Sequence, residues 1–248
     1  NVVSRRMGTM KLRSSVMNEE MISSAELSRA ACCNLGESFV TNPSVDVSYS
    51  DAATGAKQIK LLGLSGTYVQ MLTENIPNYR GAASPYGLGY VPGPWMQSIQ
   101  VSKGISSVKN GYEAITGQIN VEFKKPQLPE ADWVSANLFA SSTNRYEANA
   151  DATLKLSKRW STSLLAHYEN ETKAHDGNDD GFVDIPQVEQ YNVWNRWAYM
   201  GDHYVFQAGF KALSESRTSG QAHHTDMQTG DLYKVGIDTE RYEFFTKN

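Results

Sequence analysis

The sequence predicts a small α+β domain over residues 1–126, followed by antiparallel strands of a transmembrane β-barrel over residues 127–248. In the first part, short apolar runs are separated by turn residues and preceded by helix-capping signals. In the second part, apolar and polar side chains alternate strictly over stretches of about ten residues, the length that a tilted strand needs to cross a bilayer. This change of pattern at Pro126 sets the predicted domain boundary.

Two capping signals near the start of the chain predict helices. Ser23 and Glu26 have the spacing of a capping box, so a helix is expected to start at Ser24. Asn34 and Glu37 repeat that spacing and predict a second, short helix. Beyond them, the apolar pattern predicts short strands over residues 45–49, 59–62, 69–73 and 99–101.

The residues after Pro126 have the pattern of a barrel wall. An apolar face rich in alanine and leucine lies opposite a face of charges and amides, as a wall between lipid and water requires. A soluble antiparallel sandwich with one wet face would show the same alternation and is the alternative. On the clearest run, Tyr146, Ala148, Ala150, Ala152, Leu154 and Leu156 share the apolar face, and Glu147, Asn149, Asp151, Thr153, Lys155 and Ser157 share the polar one.

The connections between these strands alternate in length. In a membrane barrel, short turns lie on the periplasmic side and long loops lie outside. Six strands are expected, the first over residues 131–142 and the last over residues 232–245. Short turns are expected at residues 157–159 and 201–203, and long loops at residues 175–190 and 214–231.

Composition excludes several function classes. The net charge of -4 leaves no basic footprint for nucleic acid, so no nucleic-acid partner is expected. No nucleophile elbow, zinc-protease helix or phosphate-cradling loop is present, and the chain is not expected to be an enzyme. The mean hydropathy of -0.48 argues against a transmembrane helix, whereas a barrel exposes apolar residues only at every second position.

The most informative stretch is Ile99-Gln100-Val101-Ser102-Lys103-Gly104, followed by residues 107–121 and by Lys124-Lys125-Pro126. It resembles the end of the plug domain in TonB-dependent receptors, where the plug that blocks an outer-membrane pore meets the first barrel strand. The resemblance extends back through residues 34–35, 42–45, 58–64 and 68–77, which follow in the family's order. The family usually has Arg-Gly, Asp-Gly and Ile-Glu-Val where this chain has Leu62-Gly63, Glu74-Asn75 and Ile99-Gln100-Val101.

The resemblance implies a receptor in the outer membrane of a Gram-negative bacterium. Such a receptor would take up a scarce nutrient such as a metal chelate, for example an iron-siderophore, cobalamin or copper. Its partners would be this small-molecule ligand, outer-membrane lipid and a TonB-type energising periplasmic protein. The plug loop over residues 78–95 and the two long barrel loops would hold the ligand. Because such a receptor must be exported and no signal peptide is present, the chain is expected to be an internal fragment.

Two other functions fit the same residues. An outer-membrane glycan importer would stack sugar rings on loop aromatics, for which Tyr79, Tyr86, Tyr90 and Trp95 are candidates. A secreted, calcium-stabilised β-sandwich used for adhesion would account for the alternation and for an acidic loop.

That acidic loop matches the calcium-loop pattern. Asp176, Asn178 and Asp180 supply oxygens at positions 1, 3 and 5, with glycine at position 6. Phe182 would contribute its carbonyl at position 7, and Asp184 lies at position 9. Position 12 holds glutamine instead of the bidentate glutamate, so modest calcium affinity is expected. A solvated acidic turn is the alternative.

Two further residue groups carry expectations. Imidazole and thioether groups favour copper, and the candidate ligands in the long loops are His175, the pair His223-His224 and Met227; ordinary polar surface is the alternative. Gly104, Gly111 and Gly117, in the stretch that carries the resemblance, are expected to adopt backbone conformations that a side chain would strain.

Overall fold

The computed structural model describes residues 10–11, 18–29, 33–40, 42–64, 66–105, 111–126, 133–223 and 230–248. The chain divides into two compact units. The first contains residues 1–50 and 56–124, and the second contains residues 51–55 and 125–248. Among the described residues, no helix is both long and apolar enough to cross a membrane.

The first unit is built on a six-stranded sheet that contains β1 (Met10–Lys11), β2 (Asn18–Ser23), β5 (Val69–Thr73), β6 (Ile76–Pro77), β7 (Met96–Lys103) and β8 (Gly117–Phe123). The strand order in this sheet is β1-β2-β7-β8-β5-β6. Strands β5 and β8 pair in parallel, and the other pairs are antiparallel. Two further strands, β3 (Asp46–Asp51) and β4 (Ala56–Lys60), form a sheet of their own.

One α-helix and four short 3-10 helices complete the described part of this unit. The helix α1 (Ser24–Arg29) starts where the capping box predicts. Asn34 and Glu37 cap each other as expected, because the Glu37 N–H donates to Asn34 Oδ1 (3.2 Å) and Asn34 Nδ2 donates to Glu37 Oε1 (3.0 Å). The 3-10 helices are Glu37–Phe39, Gly66–Tyr68, Gly81–Ala83 and Gly93–Trp95.

The core of the first unit lies on the central strands of its sheet. Branched aliphatic side chains from β7 and β8 are fully buried because these strands have neighbours on both edges. Trp95 packs edge-on against Phe123, with ring centroids 6.5 Å apart. The side chains with at most 1% exposure include Ile22, Leu35, Leu72, Tyr90, Trp95, Ile99, Val101, Ile119, Val121 and Phe123.

The second unit is a six-stranded antiparallel meander in which each strand pairs with the next along the chain. The strands are β9 (Trp133–Ala140), β10 (Tyr146–Lys155), β11 (Trp160–Glu171), β12 (Gln187–Met200), β13 (Val205–Gly220) and β14 (Lys234–Lys247). The predicted short turns are confirmed. The predicted loop 214–231 begins too early, because β13 continues to Gly220 through its pairing with β12 and β14.

The two faces of this meander are inverted relative to a soluble protein. Val134, Leu138 and Phe244 are 75%, 81% and 73% exposed. On the opposite face, Glu147 and Arg196 are only 3% and 1% exposed. A soluble sandwich would bury its apolar face against a second sheet. The sandwich alternative is therefore wrong, and the sheet is the unclosed barrel wall that the sequence predicts.

Candidate functional site

The acidic loop between β11 and β12 folds around its own oxygens. The Asp176 carboxylate accepts hydrogen bonds from the Asp180 N–H (3.2 Å) and the Gly181 N–H (2.8 Å). Asp180 Oδ1 accepts from the Phe182 N–H (2.8 Å), and Asp184 Oδ2 accepts from the Gly177 N–H (2.6 Å). Gly181 has φ +85°, a backbone conformation that would be strained in a residue with a side chain. The carboxylate oxygens of the predicted calcium ligands thus point into one tight turn, where they accept hydrogen bonds from its backbone.

These oxygens do not form a preassembled metal site. Among the described residues, no group of three or more histidine, cysteine, aspartate or glutamate side chains is placed to hold a metal ion. The Asp176 side chain is 6% exposed and lies 3.6 Å from His223 Nδ1. To bind calcium, the carboxylates would have to give up their hydrogen bonds from backbone N–H groups and coordinate the ion instead. The calcium site therefore stays a prediction.

The copper ligand set is divided in the same region. His175 Nε2 lies 2.6 Å from the Thr143 carbonyl oxygen, in the turn between β9 and β10, and His223 Nδ1 lies 3.6 Å from Asp176 Oδ2. His224 and Met227 lie outside the described residues. The two described histidines of the predicted copper site thus have different polar neighbours, and the copper site stays a prediction.

The two long loops of the wall are joined by backbone hydrogen bonds. The Val183 N–H donates to the Gly220 carbonyl (2.8 Å), and the Ala222 N–H donates to the Gly181 carbonyl (2.8 Å). These bonds form an antiparallel bridge between Phe182 and Gln221. The acidic turn is consequently held against the end of β13. Sequence reasoning missed this link because the two segments are far apart along the chain.

The plug loop over residues 78–95 is ordered mainly by its aromatic side chains. Tyr79, Tyr90 and Trp95 are exposed by only 3%, 1% and 0%, and the rings of Tyr79 and Tyr90 lie 6.3 Å apart. A buried ring cannot stack on a sugar, so three of the four aromatics suggested for glycan binding serve the core instead. One polar group that this loop exposes is Arg80, which is paired with Glu113 (Nη2–Oε1, 2.5 Å).

The first unit contains a cleft beside this loop. Its volume is about 210 Å³, and apolar and polar side chains both line it. The apolar lining comes from Ile59, Val69, Met71, Pro85 and Leu88, and the polar lining from Ser50, Lys57, Gln58, Thr67 and Ser84. A mixed lining of this kind suits a small ligand with an apolar body and a few polar groups.

Gly104, Gly111 and Gly117 adopt backbone positions that a side chain would strain, as the sequence predicts. Gly104 has φ +95° and Gly111 has φ +118°. At Gly117 the argument is steric, because an added Cβ would lie within van der Waals overlap of the Ser102 carbonyl oxygen, a backbone atom. The Gly104 N–H donates to the Thr116 carbonyl (2.8 Å) and closes the connection between β7 and β8.

The buried polar face of the wall carries charged side chains that are linked across strands. Arg145 lies between two carboxylates, 2.6 Å from Glu147 and 3.0 Å from Glu169. Glu215 accepts from Gln190 Nε2 (2.8 Å) and from Arg217 Nη2 (3.1 Å). Alternation predicted the side of Glu147, whereas Glu215 and Arg217 lie in a segment predicted as a loop. The cross-strand partners depend on register, which alternation does not fix.

The sequence of the first unit decides its family. Residues 11–118 match the family model described as the TonB-dependent receptor plug domain. This segment is a TonB-dependent receptor plug domain. No curated protein sequence matches the chain significantly.

Solved structures support the same fold over both units. The receptor FpvA of P. aeruginosa in complex with a heterologous pyoverdine is 14% identical with a TM-score of 0.70, over 96% of this chain and 32% of that one. The ferric-catecholate import receptor Fiu of E. coli K12 is 18% identical with a TM-score of 0.62, over 83% and 28%. The copper transporter OprC is 14% identical with a TM-score of 0.66, over 96% and 35%. The chain spans about a third of the length of these structures.

Proposed function

We propose that this chain belongs to an outer-membrane receptor of a Gram-negative bacterium that imports a scarce nutrient in the form of a metal chelate. The observation that carries the proposal is the inverted wall, with an exposed apolar face and a buried charged face, directly after a TonB-dependent receptor plug domain. An exposed apolar face of this size is stable in a lipid environment. A receptor, and not an enzyme, is the function that a plug and a wall together support.

Transport in such a receptor would be driven from the periplasm. We propose that a TonB-type energising protein pulls on the plug and so releases the bound ligand inward. The wide polar face of the wall would line the pore once further strands close the barrel, since six strands form only an open arc.

The choice of a metal chelate as cargo rests on two observations. The similar structures include FpvA bound to a pyoverdine, a ferric-catecholate import receptor and a copper transporter. The plug loop exposes 47% of the Arg80 side chain, whose guanidinium pairs with Glu113 and has further N–H donors for an anionic chelate. Three of the four large aromatics of this loop are buried and unsuited to stacking on sugar rings. A glycan cargo is therefore the weaker candidate.

Uptake measurements test the proposal. The receptor is expressed in a strain that lacks its own receptors but keeps the energising system, and four probes are compared: ferric pyoverdine, a ferric catecholate, cobalamin and Cu²⁺. We expect uptake of one probe that requires the receptor and stops when a protonophore is added. Uptake of an oligosaccharide without any metal probe would overturn the metal-chelate proposal in favour of glycan import.

We also propose that the loop from Asp176 to Asp184 binds calcium through Asp176, Asn178, Asp180, the Phe182 carbonyl and Asp184. The inward turn of these oxygens and the positive φ of Gly181 support the proposal. Bound calcium would neutralise the crowded carboxylates and stiffen the joined loops.

A further inference from the structure

The outward face of the wall can be read in rows that run across its strands. A row is defined here as six residues paired successively from β9 to β14, and the loop end of the wall is the end that carries residues 172–186 and 221–233. The middle row changes in character along its length, from aliphatic through aromatic to charged. It consists of Leu138, Ala148, Tyr168, Tyr191, Ser214 and Glu240.

The neighbouring rows change in the same direction. The row on the loop-end side of the middle row is mainly polar, and the row on the opposite side is apolar until its last member. The first consists of Ala140, Tyr146, Asn170, Glu189, Ser216 and Asp238, and the second of Ala136, Ala150, Ala166, Val193, Ala212 and Tyr242. The border between apolar and polar residues therefore crosses the rows diagonally.

Tyrosines mark this border on four of the six strands. Tyr146 on β10 lies in the loop-end row, Tyr168 and Tyr191 lie in the middle row, and Tyr242 on β14 lies one row further from the loops. From β10 to β14 the border thus drops by four residues, about 14 Å, over four strand spacings, about 19 Å. This slope corresponds to a tilt of about 35°, which is within the range of strands in membrane barrels.

Polar groups at the border bond with one another on the outward face. Glu189 Oε1 accepts from the Tyr191 hydroxyl (2.9 Å) and from the Tyr168 hydroxyl (3.2 Å). Asn170 Nδ2 donates to the Tyr168 hydroxyl (3.1 Å). The tyrosine rings thus keep their apolar bodies below the border and direct their hydroxyls to a carboxylate above it, as expected at a headgroup layer.

A second aromatic group lies at the other end of the same strands. Trp160 and Tyr199 have ring centroids 5.1 Å apart and belong to β11 and β12. Tyr168 and Trp160 are eight residues apart on β11, or about 27 Å along the strand and about 22 Å along the membrane normal at a 35° tilt. This height is close to the roughly 25 Å apolar band of membrane barrels.

We propose that the outer headgroup layer of the membrane meets this wall along the diagonal from Tyr146 to Tyr242. Leu138 then lies in the hydrocarbon layer, while Glu240 in the same row lies in the aqueous headgroup region. Their depths differ by about 14 Å, because a row about 24 Å wide is inclined by about 35°. The inference rests on the proposed outer-membrane location and adds which residues contact which layer of lipid.

Spin labels attached to single cysteines test this placement in the complete receptor reconstituted in phosphatidylcholine bilayers. Cys32 and Cys33 are replaced by serine throughout, and the labelled variants are Leu138→Cys, Glu240→Cys, Phe210→Cys and Ser216→Cys. Each label is compared for access to oxygen, which concentrates in hydrocarbon, and to a water-soluble nickel complex. We expect a several-fold higher ratio of oxygen to nickel access at 138 than at 240.

The pair on β13 is the matched control, because residues 210 and 216 lie on the same strand and the same face. Different depths at 210 and 216 with equal depths at 138 and 240 would overturn the diagonal border and leave the outer-membrane proposal intact. Nickel access at all four positions would overturn the outer-membrane location itself, and the diagonal with it. Failure of one label to allow assembly is covered by Ala140→Cys and Asp238→Cys, which also share one row and for which the same difference is expected.

Discussion

The Arg80 guanidinium and the Glu113 carboxylate lie 2.5 Å apart and join the plug loop over residues 78–95 to the segment between Gly111 and Gly117. The hydrogen bond that Arg80 donates to Glu113 raises the pKa of Arg80, so the guanidinium remains charged. The two side chains are 47% and 23% exposed, so solvent weakens their attraction and the pair positions two loops more than it stabilises the fold.

Breaking this pair should loosen one segment without unfolding the plug. We expect Arg80→Ala and Glu113→Ala each to leave the thermal midpoint nearly unchanged and to speed amide hydrogen exchange over residues 111–116. Exchange is measured by mass spectrometry on the receptor, and the double variant should show no further increase, because each single change already removes the contact. Unchanged exchange in all three variants would show that the pair does not restrain the segment.

The glycines of the β7–β8 connection should tolerate substitution poorly. Gly104→Val adds a side chain at φ +95° in otherwise open space, and a cost of about 1–3 kcal/mol is expected from backbone strain alone. Gly117→Val should cost more, because its Cβ would meet the Ser102 carbonyl oxygen. Thermal denaturation measures the loss of stability, and antibiotic sensitivity of cells measures leakage past a loosened plug. Gly236→Ala, with open space around it, is the control. Equal behaviour of all three variants would contradict the expectation.

Calcium binding should depend on the acidic turn. Isothermal calorimetry on the refolded receptor is expected to show heat of calcium binding that Asp180→Ala abolishes, since Asp180 is a ligand of the proposed site. Asp202→Ala is the matched control, because Asp202 lies in a short turn and pairs with Arg159 (2.9 Å). Identical heats for the wild type and Asp180→Ala would leave only a polar turn.

Asp51 should titrate at unusually low pH. The Thr54 hydroxyl donates to Asp51 Oδ2 (2.6 Å) and lowers the pKa of this carboxyl below the usual 3.8. A carboxyl with a depressed pKa in the folded state stabilises that state above its ordinary pKa, and this contribution is lost as the pH falls through the folded-state pKa. Thr54→Val should return the pKa towards its usual value in an NMR titration of the Asp51 carboxyl carbon. An unchanged titration would contradict the role of Thr54.

A charge on the outward face should be costly on one side of the diagonal border and tolerated on the other. Leu138→Lys places a cation in the hydrocarbon layer, where a cost of about 2–4 kcal/mol is expected, whereas Ser214→Lys in the same row should cost about 0–1 kcal/mol. Reversible unfolding in lipid vesicles measures both. A larger cost for Ser214→Lys than for Leu138→Lys would reverse the proposed order of depths.

Local sequence signals predicted those parts of the fold whose cause is local. The capping pair of Asn34 and Glu37 acts within one turn of chain, and the alternation along β10 follows from one strand lying between two environments. The end of β13 could not be predicted in this way. Polar side chains lie on both faces of the strand from Ser214 to Ser219, so this part carries no apolar signal. Its pairing with β12 and β14 shows that the strand continues.

For the candidate site too, the sequence predicted what depends on local spacing and missed what depends on contacts between distant segments. The acidic spacing from Asp176 to Asp184 is local, and the structure places these residues in one turn as expected. The aromatics of the plug loop were misassigned, because Tyr90 and Trp95 look alike in sequence whether they face a ligand or a core. Their place in the core follows from packing: Trp95 packs against Phe123 on β8, and Tyr90 packs against Tyr79.

The bridge between Phe182 and Gln221 brings together two segments that are far apart along the chain. Because two backbone hydrogen bonds hold these segments together, residues 181–183 and 220–222 form one composite surface. An antibody raised against the folded receptor should therefore recognise a discontinuous epitope, and neither loop supplied as a linear peptide should compete for it.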